Sequence, residues 1–211
     1  MARKTKAEAQ ATRDRILEAA SFVFLERGVS GASLEEIAEA AGVTRGAVYW
    51  HFKNKSDVFI ALHERLYIPF SEIVLHDLEQ DHPDPLRQLK ELCVRLLVDL
   101  EENHEKNRLI TILFIKCDYS GEMEHVLALQ RDRRKQKLEL FDQYFERARA
   151  KSYLAGDVDP HVLTVALFCY LTGIVYESIR DPGTVNLKRQ AAALIEQFFA
   201  GIRCGKAELL S

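Results

Sequence analysis

The sequence has few cysteines and lacks the apolar segments that direct a chain to or across a membrane. Its 211 residues include four cysteines, at positions 93, 117, 169 and 204, and no two of them form a Cys-x-x-Cys pair. We therefore expect buried, free thiols in a reduced cytoplasmic protein. The N-terminal residues contain no apolar secretory segment, and no apolar run approaches the ~18 residues of a membrane span. These absences predict a cytoplasmic protein without a membrane partner.

Motifs for catalysis are also missing. The seven histidines form no His-Glu-x-x-His pattern, and the sequence has neither a glycine-rich phosphate loop nor a nucleophile elbow. Its carboxylates are scattered over predicted solvated helix faces. We therefore predict a protein that is not an enzyme and that has no cofactor and no metal site. The alternative for a metal is a sensor built from Cys117, Asp118 and His125.

Apolar residues recur along most of the chain at the spacing of amphipathic helices, as they do within residues 16–24. The apolar run 109–115 could also form a buried strand, but its helical neighbours favour a helix. We predict an all-α fold of about nine helices. Because Pro69 lies inside the fourth helix, we expect a kink or a break near Leu66. The predicted helices span residues 6–27, 33–41, 44–51, 56–78, 86–100, 106–116, 122–151, 160–180 and 187–202.

The most informative segment is residues 41–52, which follow a short amphipathic stretch across a glycine-containing turn. Two short helices joined by such a turn form a helix-turn-helix, a unit that places its second helix in the major groove of DNA. Ser33 begins the first of these helices, and Glu36 completes a capping-box pattern three residues later. The sequence therefore predicts a three-helix DNA-binding domain over residues 1–55. A larger helical domain for effector binding and dimerisation follows over residues 56–211.

Several segments carry a resemblance to a known family: residues 28–29, 33–38 and 41–55, and residues 2–10, 112–118 and 121–123. The first group resembles the DNA-binding domain of the TetR family of bacterial one-component repressors. The second group resembles the AcrR-like branch, whose members repress multidrug efflux pumps. The resemblance implies a homodimer, an inverted-repeat operator in double-stranded DNA, and an apolar or aromatic effector that lowers the affinity for DNA.

Arg45 is the residue that we expect to read bases, because its planar guanidinium can donate two hydrogen bonds to one guanine. The alternative is an arginine that contacts phosphate or lies on the surface. Gly46 would let the backbone approach DNA closely, and Trp50 is expected at the DNA surface or packed beneath it. The inner side of the same helix is assigned to Ala47, Val48 and Phe52. The predicted DNA-binding residues are Lys4, Lys6, Arg13, Ser33, Thr44, Arg45, Gly46, Tyr49, Trp50, His51 and Lys55.

The larger predicted domain is rich in aromatic side chains. Apolar pockets between helices are usual binding sites for small molecules, so we expect the effector there. The alternative is that these aromatic residues only form the core. Because no acidic pocket for cations is evident, we expect a neutral, aromatic or mixed ligand. The predicted effector-binding residues are His63, Leu66, Tyr67, Phe70, Ile110, Phe114, Gln130, Arg134, Phe141, Phe145, Phe168 and Tyr176.

The last two predicted helices have apolar faces on two sides, so we expect them to pair across a two-fold axis into a homodimer. Together with the resemblance, this predicts a ligand-responsive repressor that binds an inverted-repeat operator as a dimer. Its predicted target is the operon of a multidrug efflux pump. The alternative is a regulator of the same family that controls a metabolic or envelope pathway, or an activator, with a different effector.

Overall fold

The structure is a computed structural model that describes residues 6–80 and 82–202. Every regular element in these residues is helical, which confirms the predicted all-α fold. The run 109–115 is helical as well and is not a strand. The helices are α1 (Lys6–Gly31), α2 (Leu34–Ala40), α3 (Arg45–His51), α4 (Lys55–Glu79), α5 (Pro85–Glu102), α6 (His104–Thr111), α7 (Glu124–Ala150), α8 (Pro160–Arg180) and α9 (Leu187–Ala200).

The chain forms two compact units. The first comprises Met1–Ile68 and Glu105–Gln130, and the second comprises Pro69–His104 and Arg131–Ser211. The first unit therefore takes in most of α6 and the start of α7 in addition to the N-terminal helices, since these segments share one core. The boundary between functional domains after residue 55 stays a prediction.

The core of the first unit is built from α1 to α4 and from the segment around α6. Ile16, Ile37, Val48 and Phe59 have no exposed surface, and Leu109 of α6 is buried in the same cluster. Burying one such large apolar side chain stabilises a fold by about 1.5–3 kcal/mol. α1 packs against both α2 and α3, so this core fixes the two short helices on a long one.

Side chains cap the two short helices at their N-termini. The hydroxyl of Ser33 accepts a hydrogen bond from the backbone N–H of Glu36 at 3.2 Å, and the backbone N–H of Ser33 donates to Glu36 Oε2 at 2.9 Å. This confirms the capping box. The hydroxyl of Thr44 accepts a hydrogen bond from the N–H of Ala47 at 3.2 Å. Both caps satisfy backbone donors that a helix start leaves open.

Two glycines set the chain direction around these helices. Gly28 has φ 73° and ψ 160°, so regular helix stops there inside α1, as predicted for the end of the first helix. A Cβ at Gly28 would lie 3.4 Å from the carbonyl oxygen of Lys116. Gly42, with φ 61°, turns the chain between α2 and α3, and Arg15 donates a hydrogen bond of 2.7 Å to the neighbouring carbonyl of Ala41. Such φ values favour glycine, because a Cβ is strained in that region.

α4 continues through Pro69 without a break, so the break expected near Leu66 does not occur. A proline removes one backbone donor, but buried side chains hold the helix on both sides of it. Tyr67 is buried in the first unit and Val74 in the second. After α6, the chain makes a π-helical turn over Ile112–Lys116 and later a 3₁₀ turn over Gly121–Met123.

In the second unit, α5 packs against α9. The buried side chains of α9 include Ile195 and Phe199, which have no exposed surface. At the edge of this contact, Glu101 accepts hydrogen bonds from the side chain of Asn186 at 2.9 Å and from the backbone N–H of Lys188 at 2.8 Å. Asn186 is also the N-cap of α9, so these bonds fix where α9 begins.

α8 corrects the expectation that no segment is long and apolar enough for a membrane span. Its most apolar 18-residue window has a mean hydropathy of 1.7, and by length and composition alone it could cross a membrane. The expectation counted unbroken apolar runs, whereas Thr164 and Gly173 interrupt the run without making the helix hydrophilic. Core helices of soluble proteins reach the same length and hydropathy, so this property alone does not identify a membrane span.

The described cysteines are free but not all buried. Cys93 is buried as expected, Cys117 is half-buried, and Cys169 is exposed on α8, which corrects the expectation of buried thiols. Burial raises the pKa of Cys117 to about 11. Cys204 lies outside the described residues. Because a thiolate is the reactive form, the raised pKa makes Cys117 a poor nucleophile.

Candidate DNA-binding surface and effector-binding residues

α3 has one side in the core of the first unit and one side in solvent. Val48 and Phe52 are buried, as predicted for the inner side. Tyr49 and Trp50 are 44% and 72% exposed, and the Trp50 ring makes a T-shaped contact with the neighbouring His51 ring, with centroids 4.5 Å apart. Trp50 is therefore not a core residue. Two neighbouring exposed aromatic side chains make this side of α3 a candidate binding surface.

Arg45 stands in the first turn of α3 between a carboxylate and an aromatic ring. Its Nη2 lies 2.8 Å from Oε1 of Glu35 and donates a hydrogen bond of 3.4 Å to the hydroxyl of Tyr49. Its guanidinium carbon lies 5.3 Å from the centroid of the Tyr49 ring. The hydrogen bond to Tyr49 and then the charge of Glu35 raise the pKa of Arg45. The cationic fork is thus held in one direction at the start of the exposed helix.

Gly46 has no structural reason within the protein. A Cβ added there would meet Thr44 Oγ1 at 3.9 Å, an ordinary van der Waals distance. A glycine in a helix costs about 1 kcal/mol relative to alanine. Space inside the chain would allow alanine at this position, so the fold of the chain itself does not require glycine there.

The two residues expected to contact phosphate at helix starts both have partners in the protein. The Ser33 hydroxyl donates to Glu36 Oε2 at 2.9 Å, so a phosphate would have to compete with a carboxylate for it. The ammonium group of Lys55 donates to the carbonyl oxygen of Ser30 at 2.9 Å. Lysine has three donors, which leaves Lys55 able to contact a phosphate without losing this bond. Lys55 is therefore the better placed of the two.

The remaining predicted DNA-binding residues lie on α1 or before it. Arg13 is half-buried, with its guanidinium carbon 5.3 Å from the centroid of the Phe52 ring. It is thus anchored against the end of α3. Lys6 is exposed at the first position of α1. Lys4 lies outside the described residues.

Half of the predicted effector-binding residues belong to the first unit. His63 and Tyr67 are buried, and their rings are stacked with centroids 6.2 Å apart. Gln130 donates a hydrogen bond to the hydroxyl of Tyr119, which in turn donates to the carbonyl oxygen of Leu113 at 2.9 Å in the π-helical turn. The amide of Gln130 is therefore used to hold this turn. The first-unit set is His63, Leu66, Tyr67, Ile110, Phe114 and Gln130.

The other half belongs to the second unit, where two cations lie over aromatic rings. The guanidinium carbon of Arg134 is 4.8 Å from the centroid of the Phe168 ring. One turn further along α7, the ammonium nitrogen of Lys137 is 5.2 Å from the centroid of Phe70, whose ring contacts Phe141 at 6.2 Å. Burial lowers the pKa of Lys137 to about 8. The second-unit set is Phe70, Arg134, Phe141, Phe145, Phe168 and Tyr176.

We call Phe70, Arg134, Lys137, Phe141 and Phe168 the α7 cluster. Cation–π contacts stabilise by about 0.5–1 kcal/mol where solvent reaches them, as at the exposed Arg134, and by about 2 kcal/mol or more where burial removes water. Two residues of the second-unit set lie outside the α7 cluster. Phe145 has no exposed surface and belongs to the core, while Tyr176 is exposed on α8.

Comparison with known proteins identifies the family of the chain. Residues 16–62 match the family of bacterial regulatory proteins called the tetR family, and residues 84–203 match the C-terminal region of MAATS-type transcriptional repressors. The chain belongs to the tetR family. It is a transcriptional regulator rather than an enzyme, as the missing catalytic motifs predicted.

Its relatives within the tetR family are similar over nearly their whole length. The regulator AcrR of Shigella flexneri is 36% identical over 202 residues, which are 94% of this chain and 94% of that protein. The crystal structure of NalD, the secondary repressor of the MexAB-OprM multidrug efflux pump in Pseudomonas aeruginosa, has a TM-score of 0.85 at 35% identity. It covers 94% of this chain and 99% of its own. A SmeT–triclosan complex has a TM-score of 0.83 at 30% identity, covering 93% of this chain and 94% of its own.

Three residues of the candidate sites were not predicted from the sequence of this tetR-family regulator: Lys137, Glu35 and Tyr119. Lys137 had a signal, because it lies three residues after Arg134 and so on the same helix face. Glu35 and Tyr119 had none, since their partners Arg45 and Gln130 are brought to them by the tertiary fold.

The metal-sensor alternative finds no support in the geometry. Among the described residues, no three His, Cys, Asp or Glu side chains come together in a group that could hold a metal ion. Cys117, Asp118 and His125 therefore do not form the cluster that a sensor would need.

Proposed function

We propose that this protein is a ligand-responsive repressor that controls the operon of a multidrug efflux pump. The observation that carries the proposal is the two-sided α3, which is anchored by buried Val48 and presents Arg45, Tyr49 and Trp50 to solvent. A helix fixed in this way can enter a major groove while its neighbours contact the DNA backbone. The relationship to NalD, which represses such a pump, supports the choice of target.

In the proposed complex, Arg45 reads a base and the residues around it position the helix. Bidentate arginine–guanine contacts discriminate by about 1–3 kcal/mol. Gly46 lets the backbone approach, and Thr44, Tyr49 and Lys55 contact phosphates, which fix the register but carry no sequence information. The complex forms in the cytoplasm, where the operator DNA is.

The proposed homodimer uses α8 and α9, and an exposed stripe on α8 supports it. Val162, Ala166, Cys169, Gly173 and Tyr176 are all exposed and recur every three or four residues, so they share one face of the helix. A Cβ added to Gly173 would meet no atom within 4 Å. Apolar faces that a single chain leaves open are buried when two copies pair across a two-fold axis. The two α3 helices then read half-sites about 34–36 Å apart.

Release of DNA is proposed to follow effector binding to the predicted aromatic residues, with the α7 cluster supplying the polar contacts. α4 belongs to both compact units, which makes it the natural carrier of the signal. We propose that the effector favours a dimer in which α4 has moved, so that the two heads no longer fit successive major grooves. The effector must bind this state better than the DNA-bound state, because a ligand with equal affinity for both shifts nothing.

The test is a DNA-binding titration followed by release. Fluorescence anisotropy with a duplex from upstream of the proposed target, a multidrug efflux pump operon, should show tighter binding than a scrambled duplex of equal length. Affinity should fall by orders of magnitude between about 50 and about 200 mM salt. Triclosan, the ligand of the SmeT complex, should raise the melting temperature of the protein and weaken operator binding. Equal affinity for both duplexes would exclude the repressor role.

A further inference from the structure

Arg45, whose guanidinium is proposed to read the operator, forms an ion pair with another side chain of the same protein. Nη2 of Arg45 lies 2.8 Å from Oε1 of Glu35, which stands in the first turn of α2. Solvent reaches 65% of the Arg45 side chain and 48% of the Glu35 side chain. Ion pairs with this exposure contribute little to stability, so a better partner for Arg45 can open the pair at small cost.

The cap and the buried face of α2 are formed by residues other than Glu35. The capping box of α2 uses the next residue, Glu36, and the buried face of the helix is formed by Leu34 and Ile37. A carboxylate beside the exposed face of α3 repels the phosphates of any duplex that binds there. This repulsion lowers the affinity for all DNA, unless the same carboxylate does something that differs between sequences.

We propose that Glu35 is a specificity-determining residue that withholds Arg45 from phosphates and releases it to the operator base. The inference rests on the proposed function, because it requires Arg45 at the DNA surface. A guanine edge presents two neutral acceptors to the guanidinium fork of Arg45. A phosphate that approaches Arg45 brings a second negative charge next to the Glu35 carboxylate, whereas the guanine edge carries no net charge, so Glu35 repels the phosphate more strongly than the base. Glu35 thus acts against wrong sequences more than against the right one.

The variant that tests this is Glu35→Gln, which keeps the size of the side chain and removes its charge. Affinity for a scrambled duplex should rise roughly two- to fivefold for each recognition helix, the range expected when an exposed ion pair no longer competes. Affinity for the operator should rise less, so the ratio of operator to scrambled affinity falls. On the scrambled duplex, the slope of log K against log salt should steepen by about 0.9 for each Arg45 that gains a phosphate.

Two controls separate the pair from a general charge effect. Glu39→Gln removes the same charge from an exposed position of the same helix, and among the described ion pairs Glu39 has none with Arg45. It should leave the affinity ratio unchanged. On an Arg45→Ala background, Glu35→Gln should raise both affinities alike and no longer change the ratio of operator to scrambled affinity, since coupled residues lose their joint effect together.

The outcomes are distinct from a failure of the proposed function. The inference is overturned if Glu35→Gln and Glu39→Gln change the affinity ratio alike, if the effect of Glu35→Gln on that ratio survives on the Arg45→Ala background, or if Glu35→Gln leaves scrambled-duplex affinity unchanged. A wild-type protein that does not prefer the operator at all would instead overturn the repressor role. Circular dichroism and the melting temperature of each variant confirm that the helices are intact.

Discussion

The ammonium nitrogen of Lys137 lies 5.2 Å from the centroid of the Phe70 ring, in surroundings that lower the pKa of this lysine to about 8 from an ordinary 10.5. Burial is the cause, because the charged form loses hydration that the ring only partly replaces. Between these two pKa values, the unfolded chain holds a proton that the folded chain has released. The free energy of unfolding due to Lys137 therefore rises with pH from about 8 to about 10.5.

Replacing Lys137 by methionine should remove this rise. We expect the difference in unfolding free energy between wild type and Lys137→Met to move in favour of the wild type as the pH increases across the window, measured by urea denaturation at fixed salt. Lys135→Met is the matched control, since Lys135 is an exposed lysine on the same helix, 3.9 Å from Glu139. Parallel pH profiles for wild type and Lys137→Met would contradict the lowered pKa.

Arg45→Ala should cost the protein its preference for the operator. We expect a loss of about 1–3 kcal/mol of discrimination per recognition helix, measured as the ratio of operator to scrambled affinity by anisotropy. Lys55→Ala should weaken binding to both duplexes alike, because a phosphate contact is the same on every sequence. If Arg45→Ala lowered both affinities equally, Arg45 would be a phosphate contact and another residue would read the bases.

Ser33→Ala should lower the free energy of unfolding by about 1 kcal/mol, because the start of α2 loses its cap. Ser30→Ala, at an exposed position just before it, should change stability little. Hydrogen bonds from Ser33 lower the pKa of Glu36, so the capping box stabilises the fold above the ordinary carboxyl pKa and loses this effect as the pH falls. The gap between wild type and Ser33→Ala should accordingly narrow in acid, and a constant gap would argue against the reciprocal bond.

Gly173→Leu should convert the proposed dimer to monomer without unfolding it. A single chain has open space at this position, and leucine is a better helix former than glycine. Only a second chain packed on the stripe would clash with the new side chain. Light scattering after size-exclusion chromatography gives the mass, with Gly156→Leu, exposed in the loop before α8, as the control. A dimer that persists in Gly173→Leu would place the interface elsewhere.

Local patterns explain which parts of the fold could be predicted. The capping box joins residues three apart, so Ser33 and Glu36 announce the start of α2 in any tertiary setting. The predicted bounds of α8, residues 160–180, match the observed Pro160–Arg180. Its start is marked locally by a capping aspartate followed by a proline at the first helical position. The fourth helix was predicted over residues 56–78 and spans Lys55–Glu79, but the break that Pro69 suggested does not occur.

Contacts between distant elements explain what could not be predicted. Glu35 and Arg45 meet because the turn at Gly42 folds α3 back beside α2. Their spacing in the sequence does not predict this ion pair. The exposure of Cys169 is of the same kind, because an apolar helix face looks alike whether the chain covers it or a second molecule does. In both cases the sequence does not say which surface packs against the residue.

The core of the first unit is closed by Leu109, Ile112, Met123 and Val126, which come from far along the chain. A fragment that ended after α4 would therefore expose the apolar side chains that these four cover. The N-terminal helices that carry α3 therefore cannot be transferred to another protein by themselves. A chimaera that gives these helices to another regulator should fold only if it carries residues 105–130 along with residues 1–68. The predicted DNA-binding residues would then be transferred together with predicted effector-binding residues such as Ile110 and Phe114.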